Sequence, residues 1–327
     1  MTVGDAIEHS ARRNPERAAL ICGESSLYYS ELDRSGGRKG AVMRTRWRRA
    51  FVAVLFAGLL TCSSALAQQQ KAQPPKSARL YVLDCGTLDI PDVSPYRFNK
   101  EELASPKMSA PCFLVTHPKG TLMWDTGPVP DGTFKGGVGT MRYATATKTL
   151  TAQLAEIGYS PADIKYLALS HFHWDHVGNS NLFAGSTWLV TKAERDTMFA
   201  DPPSPRTEPQ NFSALRNGKT VFLTKADYDV FGDKTVIIKA APGHSPGHQV
   251  LFLRLAKTGP VLVSGDLYHY PEERAKNKVP TTEFSAGQTV ASREKIEAFL
   301  KKTGAQLWIQ HDLIANSKLR KAPDYYE

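Results

Sequence analysis

Long apolar stretches are scarce in this 327-residue chain. The longest, Ala50 to Cys62, falls well short of the roughly 20 residues a bilayer-spanning helix needs, so no segment reads as a lasting membrane insertion. Cysteine is sparse, at four residues. Cys85 and Cys112 stand in neither a CxxC nor a CxxxH spacing, so they are not assigned to metal. Basic runs are missing as well. The formal charge is +9, but residues 1–67 hold ten Lys/Arg against six Asp/Glu, which leaves +5 for the remainder. No Lys/Arg cluster or aromatic-basic stripe follows, which argues against a nucleic-acid partner. No internal repeat is visible. What is present is ordinary: 41% hydrophobic and 22% charged residues, enough to bury a core in one large domain or two medium ones.

Residues 43–67 have the three parts of a secretory signal. Arg44, Arg46, Arg48 and Arg49 precede the apolar Ala50–Cys62 segment, and Ala65-Leu66-Ala67 forms an A-x-A cleavage site. Thr61 is a poor residue before a lipobox cysteine, so lipid anchoring at Cys62 is the weaker reading. The expectation is a periplasmic or secreted protein that starts near Gln68, with a flexible leader over 68–77 that carries Pro74-Pro75. Met43 then reads as the true start, and residues 1–42 as an upstream extension or fusion remnant without an independent fold. Within that extension, Asn14–Ile21 and Tyr28–Leu32 resemble the extreme N-terminus of adenylate-forming enzymes. No Gly-rich, Ser/Thr-rich nucleotide loop follows, so adenylation chemistry is not carried over. In an oxidising compartment Cys85 and Cys112 can form a disulfide; two buried free thiols remain the alternative.

The densest chemistry lies at His171-Phe172-His173-Trp174-Asp175-His176, directly after the apolar run Tyr166-Leu167-Ala168-Leu169. At an extended strand end, residues two apart point to one side, so His171 and His173 can grip one metal ion. Asp175 and His176 are then free to face a second. Imidazole with carboxylate suits zinc and its first-row neighbours. Strands are expected at Leu80–Leu83, Cys112–Val115, Leu122–Trp124, Thr187–Val190, Val221–Leu223, Val236–Ala240, Val250–Leu253, Val261–Ser264 and Leu307–Gln310. Leu150, Leu154 and Ile157 set a helical spacing, and further helices are expected near 191–200 and 288–302. Residues 201–211, rich in proline, read as a surface loop. Many strands with few helices between them suggest two sheets covered by helices.

Further His and Asp residues end other strands: His244 and His248 in Ala241–His248, Asp266 after Val261–Val263, and His311 after Leu307–Gln310. By chemistry alone both His244 and His248 are candidates. Taken in order with Asp125-Thr126-Gly127, these elements resemble the metallo-β-lactamase superfamily over residues 78–327. The resemblance implies an α/β fold, a four-layer αββα sandwich. It also implies two divalent metal ions, zinc first among them. His171, His173 and His244 would hold one ion, Asp175, His176 and His311 the other, with Asp266 bridging; His248 and Asp125 would support them. Within the superfamily the texture is most similar to the N-acyl-homoserine lactonases, which implies opening of the lactone ring of N-acyl-homoserine lactones by a metal-bridging hydroxide. Asp175 would ferry the proton. Those lactonases place a tyrosine three residues after the bridging aspartate, where this chain has His269 between Tyr268 and Tyr270. His269 or Tyr268 is therefore expected to donate to the developing oxyanion. Phe134, Met141, Tyr143, Phe172 and Trp174 are expected to line an acyl channel, with packing in the core as the alternative. Rival readings are an organophosphate hydrolase, a thioesterase, a β-lactamase or a non-catalytic metal-binding relative. The oligomeric state stays open, a homodimer included.

Overall fold

The computed structural model describes residues 72–327, together with the backbone of a short antiparallel hairpin, β1 (Ala18–Cys22) with β2 (Ser25–Tyr28). The hairpin and the main unit are separate bodies. The segments read as a secretory signal, as a leader as far as residue 71 and as the rest of an upstream extension lie outside the described residues.

In the main unit the first strands are β3 (Arg79–Leu83), β4 (Thr87–Asp89), β5 (Lys107–Ser109), β6 (Cys112–His117) and β7 (Gly120–Trp124). They are followed by β8 (Gly139–Met141), β9 (Ala144–Ala146), β10 (Tyr166–Ala168), β11 (Thr187–Val190) and β12 (Thr220–Phe222). The last are β13 (Asp227–Asp229), β14 (Val236–Ala240), β15 (Gln249–Leu255), β16 (Gly259–Val263) and β17 (Gln306–Trp308). The helices are α1 (Leu150–Glu156), α2 (Trp174–Val177), α3 (Lys192–Met198), α4 (Pro271–Lys276), α5 (Ala286–Thr303) and α6 (Leu313–Ser317).

One sheet runs β12-β11-β10-β7-β6-β3 and a second β13-β14-β15-β16-β17. Strand alternation decides what each face meets. Leu80 and Val82 turn inward with Phe113, Val115 and Trp124 to pack on Ile238, Leu251, Leu253 and Val263 of the second sheet. Tyr81 and Leu83 turn outward with Leu114 and Met123, and are covered by Leu150 and Leu154 of α1 and Met198 of α3. Across the second sheet, Val250, Phe252 and Leu262 are covered by Ile296, Phe299 and Leu300 of α5. The result is the four-layer αββα sandwich. A third sheet, β5-β4-β9-β8, was not foreseen; its Leu88, Met108 and Ala144 pack with Trp174 and Tyr270.

Ordering at one edge comes from parallel pairing. β7 and β10 run parallel with Trp124 opposite Ala168, so Asp125 and the histidine run emerge side by side. β16 and β17 run parallel with Val263 opposite Trp308, so Asp266 and His311 emerge together. β14 and β15 add the turn Ala241–His248 on the same edge.

Of the two readings of the cysteines, the structure takes the disulfide: Cys85 and Cys112 are joined, with Cα atoms 5.8 Å apart and a sequence separation of 27. A side chain at Gly127 would meet Cys85 Cβ at 2.5 Å, so the bridge backs the turn that carries Asp125. Closing a loop of that length is worth about 3–4 kcal/mol through the unfolded chain. The double substitution Cys85→Ser with Cys112→Ser should lower the unfolding free energy by about 3 kcal/mol. Urea midpoints of both chains measure this, and equal midpoints would deny the bridge a stabilising role.

Candidate metal centre

The histidine run is shaped by its break from extended to helical backbone. β10 ends at Ala168, His173 is still extended at φ −64°, ψ 151°, and α2 begins at Trp174. His171, His173, His176, His244, Asp266 and His311 are all buried. Their donor atoms form two groups of four that share one residue: His171, His173, His244 and Asp266 in the first, and Asp175, His176, His311 and Asp266 in the second. The two oxygens of Asp266 divide between them. Oδ2 lies 3.5 Å from His171 Nε2 and 3.2 Å from His244 Nε2, while Oδ1 lies 3.1 Å from both His176 Nε2 and His311 Nε2. Asp175 Oδ2 stands 3.5 Å from His311 Nε2 and 3.7 Å from His176 Nε2.

Several observations fit a cation in each group. His171 Nε2 and Asp266 Oδ1 are buried without a hydrogen-bond partner. His244 Nε2 faces His173 Nδ1 at 2.9 Å, and His176 Nε2 faces His311 Nε2 at 3.3 Å, so ring nitrogens converge on shared points. Burial, then the neighbouring imidazoles, hold His171 and His173 well below the usual histidine range, which leaves their lone pairs free for a metal. Imidazole and carboxylate donors in these numbers suit divalent first-row ions.

Comparison with known proteins agrees with this geometry. The sequence pattern of the metallo-β-lactamase superfamily matches residues 106–311. The chain belongs to that superfamily. It is 32% identical over 269 residues to the N-acyl homoserine lactonase AttM of Azorhizobium caulinodans, covering 76% of this chain and 98% of AttM. It is 26% identical over 224 residues to the N-acyl homoserine lactonase AiiA of Bacillus thuringiensis subsp. kurstaki, covering 65% of this chain and 85% of AiiA. A solved B. thuringiensis AiiA variant with N-decanoyl-L-homoserine at its active site superposes with a TM-score of 0.61. It shares 25% identity and covers 76% of this chain and 98% of its own.

In this superfamily member the far nitrogen of most cluster histidines is held by a protein acceptor, which fixes the ring and aims the other nitrogen inward. His176 Nδ1 donates to Asp125 Oδ2 at 2.9 Å, His311 Nδ1 to the Ser109 carbonyl at 2.7 Å, and His244 Nδ1 to Glu283 Oε1 at 2.9 Å. Asp125 also accepts from Ser170 N, Ser170 Oγ and Gln310 Nε2, which ties the two sheets together beneath the cluster. His248 plays no part in either group. Its Nδ1 donates to the Ala241 carbonyl and its Nε2 accepts from Asp266 N at 2.9 Å, so it holds the backbone of Asp266. Gly265 is required beside it: φ is +50°, and a side chain there would meet His248 Nε2 at 2.7 Å.

Two expectations need correction. Tyr268 turns away from the cluster, packs with Ile296 and Leu300, and donates to Glu297 Oε1 at 3.0 Å. His269 does face the cluster, with Nε2 3.2 Å from Asp266 Oδ2 and Nδ1 3.1 Å from the buried Glu273. Burial opposes its charge, but Glu273 and Asp266 outweigh it and push His269 up to about 10. Of the five aromatic and apolar residues expected in a channel, only Tyr143 and Trp174 line the cavity of about 220 Å³ above the cluster. Phe172 belongs to the core beneath α1, and Phe134 and Met141 pack around the third sheet.

The cavity wall brings in residues that no motif announced: Tyr96, Arg142, Arg206 and Thr282. Glu283 and Glu194 were also missed. Buried Glu194, on α3, accepts from Phe172 N, Ser245 Oγ and Gly247 N at 2.7, 2.6 and 2.8 Å, pinning both histidine-bearing loops to one carboxylate. Burial outweighs these donors and pushes Glu194 up to about 7 from 4.5. Between those values the folded chain keeps a proton that the unfolded chain has released, so stability falls as pH rises through that window. Glu194→Gln cannot titrate. Its unfolding free energy should fall less steeply there, by up to about 1.4 kcal/mol per pH unit. Urea midpoints across the window test this, and identical slopes would take the titration away from Glu194.

Proposed function

We propose that this chain is an exported, binuclear metal-dependent hydrolase that opens the ring of N-acyl-homoserine lactones. The observation that carries the reading is the pair of four-residue groups joined through the two oxygens of Asp266. The 32% identity to AttM across nearly all of that lactonase points to the bond. His171, His173 and His244 would hold one divalent ion and Asp175, His176 and His311 the other, with Asp266 between; zinc suits these donors. Two such ions supply Lewis acidity and lower the pKa of water at the site.

The chain's own groups then handle protons and orientation. Asp175 lines the cavity beside His176 and His311, so it can take a proton from the attacking water and return it to the ring oxygen as that oxygen leaves. Tyr96 sits in the wall with its ring centre 4.8 Å from that of His269. Burial, then the charge of Asp175, holds its phenol well above the usual range, so it stays a protonated donor. Among the described residues its hydroxyl has no hydrogen-bond partner, which leaves it free for the substrate carbonyl. His269 is occupied with Asp266 and Glu273, and orients the shared carboxylate. Work outside the cytosol is supported by the signal-like segment and the disulfide.

The exported chain should begin near Gln68 by N-terminal sequencing and hold two equivalents of metal. It should turn over acyl-homoserine lactones faster than paraoxon, a thioester or a cephalosporin. A mature chain that keeps residues 1–42 would overturn the export, and lactones as the poorest substrates would overturn the activity. Tyr96→Phe should lower kcat by about 100-fold, the scale of one oxyanion donor. Tyr268→Phe should leave kcat within about twofold, since its hydroxyl faces Glu297. The reverse order in these two variants would return the donor role to Tyr268.

A further inference from the structure

The cavity wall holds two arginines in different states. Arg142 is engaged: its Nε and Nη2 both donate to Glu208 Oε1, at 2.8 and 2.5 Å, and its guanidinium lies 5.3 Å from the Trp174 ring centre. The other oxygen of Glu208 accepts from Gln210 Nε2 at 2.7 Å, so that carboxylate is fully occupied. Arg206 has no such partner. Among the described residues its guanidinium makes no hydrogen bond or ion pair, although Glu208 stands only two positions away. Its backbone is nevertheless fixed over the histidine run. The Arg206 carbonyl accepts from Trp174 N at 3.0 Å, and buried Thr207 bonds the Ser204 carbonyl through N at 3.0 Å and Oγ1 at 2.6 Å.

The acids that line the same cavity are already engaged. Asp92 accepts from Ser94 N and Ser94 Oγ, both at 2.9 Å, while Asp175 and Asp266 face imidazoles. A cation on a fixed stretch of backbone therefore lines the cavity with no counter-ion of its own among the described residues. A reacting carbonyl has to sit over Asp266 and the histidines, so what reaches Arg206 is the remainder of the molecule. A guanidinium offers several N–H groups in one plane, suited to a carbonyl oxygen and better still to a carboxylate.

We propose that Arg206 is a specificity-determining residue that binds an oxygen acceptor carried on the acyl side of the substrate. This rests on the lactonase reading. The acceptor is a ketone or a carboxylate a few bonds from the amide, and substrates that bear one are preferred over the plain acyl chain.

The test compares three homoserine lactones of equal chain length: plain acyl, 3-oxoacyl and ω-carboxyacyl. Wild type and metal-loaded Arg206→Ala and Arg206→Lys are assayed, with metal content and melting temperature recorded for each. The preference for oxo over plain, as a ratio of kcat/KM, should fall about 10-fold in R206A, and that for carboxy over plain by up to about 100-fold, the range of charge-assisted hydrogen bonds. R206K should keep part of the carboxy preference, since the charge survives without the fork. An equal loss on all three substrates would make Arg206 structural and overturn the assignment, as would unchanged ratios. If wild type turns over none of them, the lactonase reading fails on its own. The Arg206 assignment is then read from calorimetric binding of the ring-opened ω-carboxyacyl homoserine: weaker binding by R206A supports it, and equal binding overturns it.

Discussion

Asp266 is a buried carboxylate surrounded by imidazoles, and much of the architecture at this edge follows from making that burial tolerable. An unpaired carboxylate removed from water costs several kcal/mol. Here ring nitrogens stand 3.1 to 3.5 Å from its oxygens, placed to share a cation with them, and the backbone N–H of Asp266 is taken by His248. Burial would raise Asp266, but the surrounding histidines, His311 and His176 foremost, hold it well below the usual carboxylate range. Such an arrangement is stable only if the histidines are themselves fixed. Asp125, Glu283, Ser109 and Ser170 therefore matter as much to the cluster as the groups that point into it.

Fixing them is a task for both sheets at once. The parallel pairs β7/β10 and β16/β17 each deliver one strand end beside another, and the seam between the sheets is closed by polar bonds rather than by further apolar packing. Gln310 reaches across to Asp125 at 2.7 Å, and Gln249 donates through its N to the Ser170 carbonyl at 2.9 Å. Glu194 makes a third tie from the helical layer. A site built on strand ends in this way inherits the rigidity of the sandwich core, which suits ligands that must hold a fixed separation.

This division explains what the sequence disclosed. Strands such as Leu80–Leu83 and Val236–Ala240 were legible as short apolar runs, because one face meets the inter-sheet core and the other is covered by helices. The histidine run was legible because ligand geometry forces a short spacing. The third sheet was not: Thr87–Asp89 and Ala144–Ala146 are three residues each, too short to show a period, and form because Trp174 and Tyr270 need cover. Phe172 could have been placed correctly, since the rule that sets His171 and His173 on one side sets the residue between them on the other. The same alternation separates Tyr268, packed toward α5, and Tyr270, packed toward the third sheet, from His269. Nothing in the three letters says which of them faces the metal groups.

Residues that would meet the substrate are of a different kind from those that would hold metal. Tyr96, Arg142, Arg206 and Thr282 come from four separate loops, with no spacing relative to the histidines that chemistry demands. Tyr96 follows Pro95, and Arg206 follows Pro205 in the segment read only as a surface loop. Tyr96 N bonds the Val93 carbonyl and the Arg206 carbonyl accepts from Trp174 N, so the sheets fix neither side chain and either can change without disturbing Asp266 or its partners. A chain built this way can keep its hydrolytic centre while its cavity wall is rewritten. The Arg206 guanidinium, which makes no hydrogen bond or ion pair among the described residues, is then the place where the preference for a particular substrate is written most plainly.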